Sequence, residues 1–267
     1  MILHIPHSSD IIPEAFRDQI LLSDDDLAAE LMLMTDAFTD ELFAFPDATM
    51  LRFPISRLLM DVERFPDDAE EPMSKVGMGM IYTLTASGNK LKRTLQPQET
   101  RTLISQYYET HHQALWREVN IELEKYGKAL IVDCHSFPSH PLRCDKDQSI
   151  PRPEYCIGTD SFHTPETLTK TIALNLRKKG FSARMNQPYE GTLVPMAFYR
   201  KDRRVASIMI EINRSLYMDE NVGGKTSAFD SVKKQIDSIL YSIKQFQQGA
   251  APDGCSAMLQ AVGKLYR

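Results

Sequence analysis

Two histidines of this sequence follow short apolar runs that are typical of β-strands. His135 comes directly after residues 128–134 (KALIVDC), and His7 follows residues 2–5 (ILHI) beyond a proline. Ligands of open α/β sheets bind beyond the carboxyl ends of the strands, and imidazole is a common zinc ligand. If the two strands are parallel, both histidines lie on one rim of the sheet and could bind a metal or act in catalysis. The alternative for His135 is a hydrogen bond to a loop carbonyl.

Carboxylates that could join this rim occur early in the chain. Asp10 follows His7 by three residues, although a helix cap or a solvated loop acid is its more ordinary role. Asp36 and Asp40 are one turn apart on a predicted helix, so both side chains lie on one face. That face is ordinarily solvated, but Asp36 is flanked by apolar residues of the helix and lies near the buried boundary.

Glu211 ends another apolar run, at residues 205–212. An acid at the end of a core strand is partly desolvated, which raises its pKa and suits a general acid or base near neutral pH. A salt bridge to a neighbouring arginine is the alternative for Glu211.

Arg57 and Arg64 could form a bidentate clamp for a substrate carboxylate, although an ordinary position on the protein surface explains both arginines equally well. Tyr189 lies in a loop (NQPYEGT) that is either a lid with a substrate contact or a simple turn.

The remaining histidines give weaker signals. His4 lies inside a predicted strand and is expected to be structural. His111 and His112 are adjacent on a predicted helix and point apart, so at most one of them faces a site. His140 and His163 lie in predicted loops and are expected to be exposed.

Composition narrows the class of protein. The 267 residues include 31 Lys and Arg against 36 Asp and Glu, a formal charge of −5 that argues against a general nucleic-acid binder. The four cysteines are too few and too scattered for a disulfide scaffold or a cysteine-rich zinc module. The first residues lack the features of a signal peptide, and no run of apolar residues is long enough to span a membrane. We therefore expect a cytoplasmic protein without a membrane or nucleic-acid partner, whose oligomeric state the sequence leaves open.

The elements that must position these residues alternate along the chain, which predicts an α/β fold in a single domain over residues 1–267. Strands are predicted at 2–5, 50–53, 128–134, 154–158, 182–185 and 205–212, and a further strand or hairpin at 80–84. Helices are predicted at 23–43, 96–126, 165–179 and 228–246, and a linker to a short last segment at 248–256.

Seven segments of the chain together resemble the N-formylglutamate amidohydrolase family. In order, they read IPHSS, TDAFTDELF, ISRLLMDVERF, YETHHQAL, IVDCHSFPS, NQPYEGT and IEINRSLY, and they span roughly residues 2–217. Each segment alone is a weak signal, whereas seven in the same order are fairly specific. The chain has DVERF where a D-x-N-R form is expected, and it lacks the aromatic residue expected after Asp36. Both departures suggest a side branch of the family.

This family is similar to the zinc carboxypeptidases, and the resemblance implies a three-layer α/β/α fold with a mixed, mostly parallel sheet. It implies that His7 and His135 bind Zn²⁺ and that Glu211 is the catalytic carboxylate. The third ligand is expected to be Asp36, with Asp10 as the alternative. The resemblance also assigns substrate-binding roles to a further group of residues: Arg57, Arg64, His112, Tyr189, Asn213 and Arg214.

The implied reaction is hydrolysis of the amide bond of an acidic N-acyl amino acid such as N-formylglutamate, by metal-activated water with Glu211 as general base. A hydrolase that acts on a different N-acyl or peptide-like amide fits the same residues. Two rivals come from other classes. One is a cysteine or serine hydrolase that uses Cys134 or Ser136, and the other is a non-catalytic protein that binds an acidic metabolite through its arginines.

Overall fold

The computed structural model describes residues 1–249, so most of the predicted linker at 248–256 lies outside the described residues. Its centre is a six-stranded sheet. The strands are β1 (Ile2–Ile5), β2 (Thr49–Arg52), β3 (Ala129–Phe137), β4 (Tyr155–Gly158), β5 (Ala183–Met185) and β6 (Val205–Asn213). A separate two-stranded ribbon consists of β7 (Met218–Asp219) and β8 (Gly224–Lys225).

The strand order is β2-β1-β3-β6-β4-β5. β2, β1, β3 and β6 are parallel, β4 runs antiparallel to β6, and β5 is parallel to β4. The sequence-based prediction of a mixed, mostly parallel sheet in an α/β fold is therefore confirmed. Because β1, β3 and β6 are parallel neighbours, their carboxyl ends meet on one rim.

The helices are α1 (Asp24–Met34), α2 (Thr39–Leu42), α3 (Pro97–Leu103), α4 (Glu109–Tyr126), α5 (Glu166–Lys178) and α6 (Phe229–Gln247). A π-helical turn, Ile104–Tyr108, joins α3 to α4, so the predicted helix at 96–126 is one continuous rod with a local widening. Short 3₁₀ helices occupy Glu14–Gln19, Pro72–Val76 and Arg214–Leu216. No helix within residues 1–249 is long and apolar enough to cross a membrane.

Different helices pack against the two faces of the sheet. Val132, Cys134 and Ile210 belong to one core with side chains of α5 and α6, whereas Ile131 packs with Leu115 of α4 on the opposite face. Helices thus cover both faces, giving three layers. Alternate residues of a strand point to opposite faces, so the polar residues at 133, 135 and 211 share the face that α4 covers.

The predicted helix at 23–43 is wrong in its second half. α1 begins after the N-cap Ser23, whose side chain accepts a hydrogen bond from the Asp26 amide, and it ends at Met34 because Thr35 is extended. The next helix starts only at Thr39, after Phe38 adopts a left-handed conformation. Asp36 therefore lies in a break between two helices, and the expectation that it shares a helix face with Asp40 is also wrong.

The largest differences from the predicted strands are at residues 80–84 and at the end of β3. Residues 80–84 form no strand and contribute only an isolated bridge between Leu84 and Lys90. β3 continues three residues beyond Cys134 to Phe137, because each of these residues pairs with the longer β6. The extension places His135 inside the sheet, next to Glu211, rather than in the loop that follows.

A buried lysine fixes the irregular segment between β2 and α3. Lys92 is 3% exposed, and its Nζ donates hydrogen bonds to the carbonyl oxygens of Leu58, Leu59 and Tyr82. The Leu58 and Leu59 carbonyls belong to the turn that carries Arg57 and the residues that follow it. The ammonium group therefore satisfies backbone carbonyls that regular secondary structure would otherwise pair.

We expect Lys92→Met to lower the free energy of unfolding by about 2–4 kcal/mol, because methionine fills the space but leaves three buried carbonyls without a donor. Urea denaturation followed by circular dichroism measures the change. The matched control is Lys90→Met, an exposed position two residues away, where a change within about 0.5 kcal/mol is expected. Equal losses in the two variants would contradict the role given to Lys92.

Candidate active site

Three side chains from separate parts of the chain meet at the rim of the sheet. His7 follows β1, Asp36 lies in the break after α1, and His135 is in β3. The amide of Asp36 donates a hydrogen bond to the carbonyl of His7 (2.9 Å), which ties the helix break to the end of β1. All three residues are buried, and their ligand atoms lie within 4.8 Å of one another. Asp10 is exposed and is not part of this group.

The orientation of the two imidazoles suits a metal ion. Nε2 of His7 is 2.9 Å from Oδ1 of Asp61, and Nε2 of His135 is 3.2 Å from Oδ1 of Asp133. A carboxylate beside Nε2 favours the tautomer that carries its proton there, and in that tautomer Nδ1 of each ring could bind a metal. The Nδ1 atoms of His7 and His135 lie 3.7 Å and 3.1 Å from Oδ2 of Asp36.

These separations match a shared ion, since two ligands about 2.1 Å from a tetrahedral zinc lie about 3.4 Å apart. Nδ1 of His7 is buried and has no hydrogen-bond partner in the described structure. A buried polar atom without a partner is costly, and a metal would satisfy it. The donor set of two imidazoles and one carboxylate is that of many catalytic zinc sites. The residues present therefore fit the metal that the sequence resemblance implies.

Arg214 fixes the carboxylate of this group. Its Nη2 donates to Oδ1 of Asp36 (3.0 Å), Nε donates to Oγ of Ser136 (3.2 Å), and Nη1 donates to the carbonyl of Leu33 (2.6 Å). Burial opposes ionisation of Asp36, but the contacts with His135 and His7 and the charge of Arg214 outweigh it and lower the pKa of Asp36. Asp36 is thus held as a carboxylate with Oδ2 turned to the histidines.

A second group of polar residues lies behind His135. Oδ1 of Asp133 is 2.7 Å from Nδ1 of His4, and Oδ2 accepts a hydrogen bond from the Leu193 amide (3.0 Å). Nε2 of His4 is 2.8 Å from Nε2 of His111, and burial lowers the pKa of His111 to about 2. The structural role expected for His4 agrees with these contacts. They hold Asp133 in place, and Asp133 in turn orients His135.

Glu211 lies beside His135 in the neighbouring strand, since the two residues are paired in the register of β3 and β6. It is 7% exposed, and its Oε2 has no hydrogen-bond partner in the described structure. Burial, together with the carboxylates of Asp36 and Glu63, raises the pKa of Glu211 to about 8. An unpartnered carboxyl group with a raised pKa suits the transfer of a proton at this rim.

Sequence reasoning did not include Glu63 among the site residues. Its Oε1 is 3.2 Å from Nε2 of His135, and its Oε2 is 3.8 Å from Nδ1 of His7. The signal is the acid within DVERF, where an asparagine is expected, but that departure by itself indicates only a side branch of the family. The contact with both histidines depends on the turn at residues 56–64, which the sequence does not specify.

The two arginines of the expected clamp share one carboxylate of the protein. Nη2 of Arg57 is 2.9 Å from Oδ2 of Asp61, and Nε of Arg57 donates to the hydroxyl of Tyr82 (3.1 Å). Nε of Arg64 is 3.4 Å from the same Asp61 oxygen and makes no hydrogen bond. Arg64 also lines a cavity of about 310 Å³ beside the site. Of the two arginines, Arg64 is therefore the one that a substrate in this cavity could reach.

The other expected substrate contacts lie in different surroundings. His112 lines the same cavity and donates from Nε2 to the carbonyl of Val62 (2.8 Å). The hydroxyl of Tyr189 bonds to Asp145 and Arg152 (3.1 Å each) and does not line that cavity. Asn213 caps the 3₁₀ helix that follows β6, accepting a hydrogen bond from the Ser215 amide. The substrate roles of all three residues stay predictions.

Two expectations about loop histidines have different outcomes. His140 is exposed, as predicted. His163 is 2% exposed, so its predicted exposure is wrong. Its Nδ1 bonds to the carbonyl of Val205 (2.7 Å), and its Nε2 accepts from the Arg200 amide (2.8 Å), so this imidazole joins two loops beside the sheet.

The structure disfavours Cys134 as a nucleophile. Its side chain is fully buried on the face that α5 and α6 cover, opposite to His135, and the thiol donates to the carbonyl of Val132 (3.2 Å). Burial and the nearby Asp133 raise the pKa of Cys134 well above its usual value. Because the thiolate is the reactive form, such a thiol is inert. The hydroxyl of Ser136 accepts a hydrogen bond from Arg214, and no histidine contact activates it in the described structure.

Comparisons with known proteins identify the family of this chain. The model of a family described as N-formylglutamate amidohydrolase matches residues 1–218. An N-formylglutamate deformylase of Pseudomonas putida is 24% identical over 229 residues, which cover 82% of each chain. Its namesake in Pseudomonas aeruginosa is 22% identical over 200 residues, covering 72% of this chain and 74% of that protein.

Solved structures show the same fold. The crystal structure of N-formylglutamate amidohydrolase from Ralstonia eutropha JMP134 superposes with a TM-score of 0.82 at 24% identity, covering 93% of this chain and 94% of that one. A gene product of Agrobacterium tumefaciens superposes with a TM-score of 0.59 at 20% identity, covering 91% of both chains.

Proposed function

The chain belongs to the N-formylglutamate amidohydrolase family and is thus a hydrolase of amide bonds, and we propose that it is a metal-dependent enzyme that deacylates N-acyl amino acids. The acyl group proposed is formyl, and N-formylglutamate, after which its relatives are named, is one member of the proposed substrate class. The observation that carries the proposal is the convergence of His7, Asp36 and His135 with the unpartnered carboxyl group of Glu211.

Nδ1 of His7, Oδ2 of Asp36 and Nδ1 of His135 would hold the metal, for which we propose Zn²⁺. When bound, zinc would supply a Lewis acid that polarises the amide carbonyl and lowers the pKa of water towards ~7. Asp61 and Asp133 keep the two imidazoles in the ligating tautomer through their Nε2 contacts. Arg214 keeps Asp36 ionised at neutral pH.

Glu211 would move the proton. Its Oε2 has no hydrogen-bond partner in the described structure and accepts a proton from the attacking water. The same oxygen then delivers that proton to the amide nitrogen, so that the amine leaves in neutral form. The α-carboxylate of the amino acid binds Arg64, whose side chain is 22% exposed and lines the neighbouring cavity. This contact orients the amide bond towards Glu211.

The proposal predicts metal-dependent turnover. The purified protein should contain about one equivalent of zinc and should release formate from at least one N-formyl amino acid in a screen that also includes N-acetyl analogues. Activity should vanish after chelation and return when zinc is added. Full activity in Cys134→Ala would separate this mechanism from that of a cysteine hydrolase. Turnover that survives complete metal removal would contradict the proposal.

A non-catalytic binding protein is the second candidate, since Arg57, Arg64 and Arg214 place positive charge near the rim. The contacts of Arg57 and Arg214 argue against it, because both guanidinium groups are engaged by Asp61 and Asp36. Binding of N-formyl amino acids by the zinc-loaded protein without release of formate would favour this candidate.

A further inference from the structure

A cavity of about 310 Å³ continues the candidate site along the sheet. Asp133 and Met209 line it, and they are paired in the register of β3 and β6. The next pair on the same face is His135 and Glu211. Two residues along a strand span about 7 Å, so the cavity begins one residue pair away from the reacting groups. A substrate held by its amide at the rim would therefore place its side chain in this space.

The wall of the cavity is mainly apolar. Phe65, Val194, Met196, Tyr199 and Met209 contribute to it, from the loop after Arg64, the segment before β6, and β6 itself. A site that binds an anionic side chain must replace its hydration with several donors or cations. These five side chains provide few donors and no cation, since Tyr199 is the only one of them with a hydrogen-bonding group.

The charged residues around the cavity also disfavour an anionic side chain. Among its lining residues, Arg64 is the only lysine or arginine, whereas Glu63, Asp133 and Glu190 carry carboxyl groups. Glu190 is largely exposed at the mouth, but Glu63 and Asp133 lie inside with side-chain exposures of 16% and 2%. The remaining basic group, His112, is neutral near pH 7 because burial and the neighbouring His4 lower its pKa.

We propose that this cavity accepts a neutral side chain, so that the enzyme prefers N-formyl amino acids with a single carboxylate over N-formylglutamate. The inference rests on the proposed function. The guanidinium group of Arg64 is shared with Asp61 and suffices for one substrate carboxylate, the α-carboxylate. A second carboxylate would enter beside Glu63 and Asp133, where like charges repel, and Arg64 is the only arginine or lysine among the residues that line the cavity.

Two substrates of nearly equal shape test this inference on the zinc-loaded full-length chain. N-formylglutamine and N-formylglutamate differ by one charge at the end of the side chain. We expect kcat/KM to be on the order of tenfold or more higher for N-formylglutamine. N-formylmethionine and N-formylleucine, which match the apolar wall, should be hydrolysed at least as well as N-formylglutamine.

A variant that adds a cation to the cavity should reverse the preference. Met196 lines the cavity and is 59% exposed, so Met196→Lys is compatible with the fold. It should raise kcat/KM for N-formylglutamate relative to N-formylglutamine by several-fold or more. The matched control is Val222→Lys, which adds the same charge at a position that is 75% exposed and outside the cavity lining. Its substrate ratio should equal that of the wild type.

The outcomes separate the two proposals. Equal or better hydrolysis of N-formylglutamate by the wild type overturns the assignment of the cavity and leaves the proposed function intact. An unchanged substrate ratio in Met196→Lys also overturns the assignment of the cavity, because the side chain of the substrate would then lie outside it. Failure to hydrolyse any N-formyl amino acid in the zinc-loaded state overturns the proposed function, and the inference with it.

Discussion

Glu211→Gln is expected to lower kcat for release of formate by about 10²–10⁴-fold, the usual contribution of a general acid or base. Glutamine keeps the size of the side chain but cannot accept a proton from water. Because Oε2 of Glu211 has no hydrogen-bond partner, the change breaks no hydrogen bond of that oxygen. Steady-state kinetics with the best substrate of the screen measures the loss. Zinc content and the midpoint of thermal unfolding should stay close to those of the wild type.

The matched control for this variant is Glu124→Gln, which removes the same charge from an exposed position on α4. Its kcat should equal that of the wild type. A Glu211→Gln enzyme that retains full kcat while remaining folded and zinc-loaded would show that another group moves the proton. A large rise in KM with unchanged kcat would instead assign Glu211 to substrate binding.

The second large effect is expected from His135→Ala, which should abolish both stoichiometric zinc binding and turnover. The substitution removes Nδ1, one of three proposed ligand atoms, and leaves two ligands for the ion. Metal analysis after dialysis against a weak chelator measures the retained zinc, and kinetics measures the activity. Circular dichroism establishes whether the variant is folded, since His135 is buried in β3.

Two further variants make this prediction robust. Asp36→Asn removes the anionic ligand from a different element and should also lose zinc, which shows that the effect does not depend on disturbing β3. His140→Ala removes an exposed imidazole five residues away and should retain zinc and activity. Zinc bound at wild-type stoichiometry in both His135→Ala and Asp36→Asn would exclude the proposed ligand set.

Much of the fold follows from local sequence patterns. The apolar runs at 128–134 and 205–212 identify the two central strands. Gly127 follows α4 and precedes β3, and Gly180 follows α5 and precedes β5. The sequence-based error in the first helix has a clear cause. Residues 24–42 keep helical periodicity throughout, but the chain turns at Thr35 because the Asp36 amide bonds to the His7 carbonyl, a contact between residues distant in sequence.

For the candidate site, too, part of the arrangement follows from the sequence and part from the tertiary structure. The sequence by itself determined the chemical types at the rim: imidazoles after two apolar runs, an acid at the end of a third, and arginines nearby. Only the tertiary structure decided that β1, β3 and β6 are parallel neighbours, that a helix break brings Asp36 to His7, and that Glu63 faces both histidines. The reason is physical, because residue type and periodicity act over a few residues, whereas ligand geometry, burial and raised pKa values arise from contacts between segments that folding brings together.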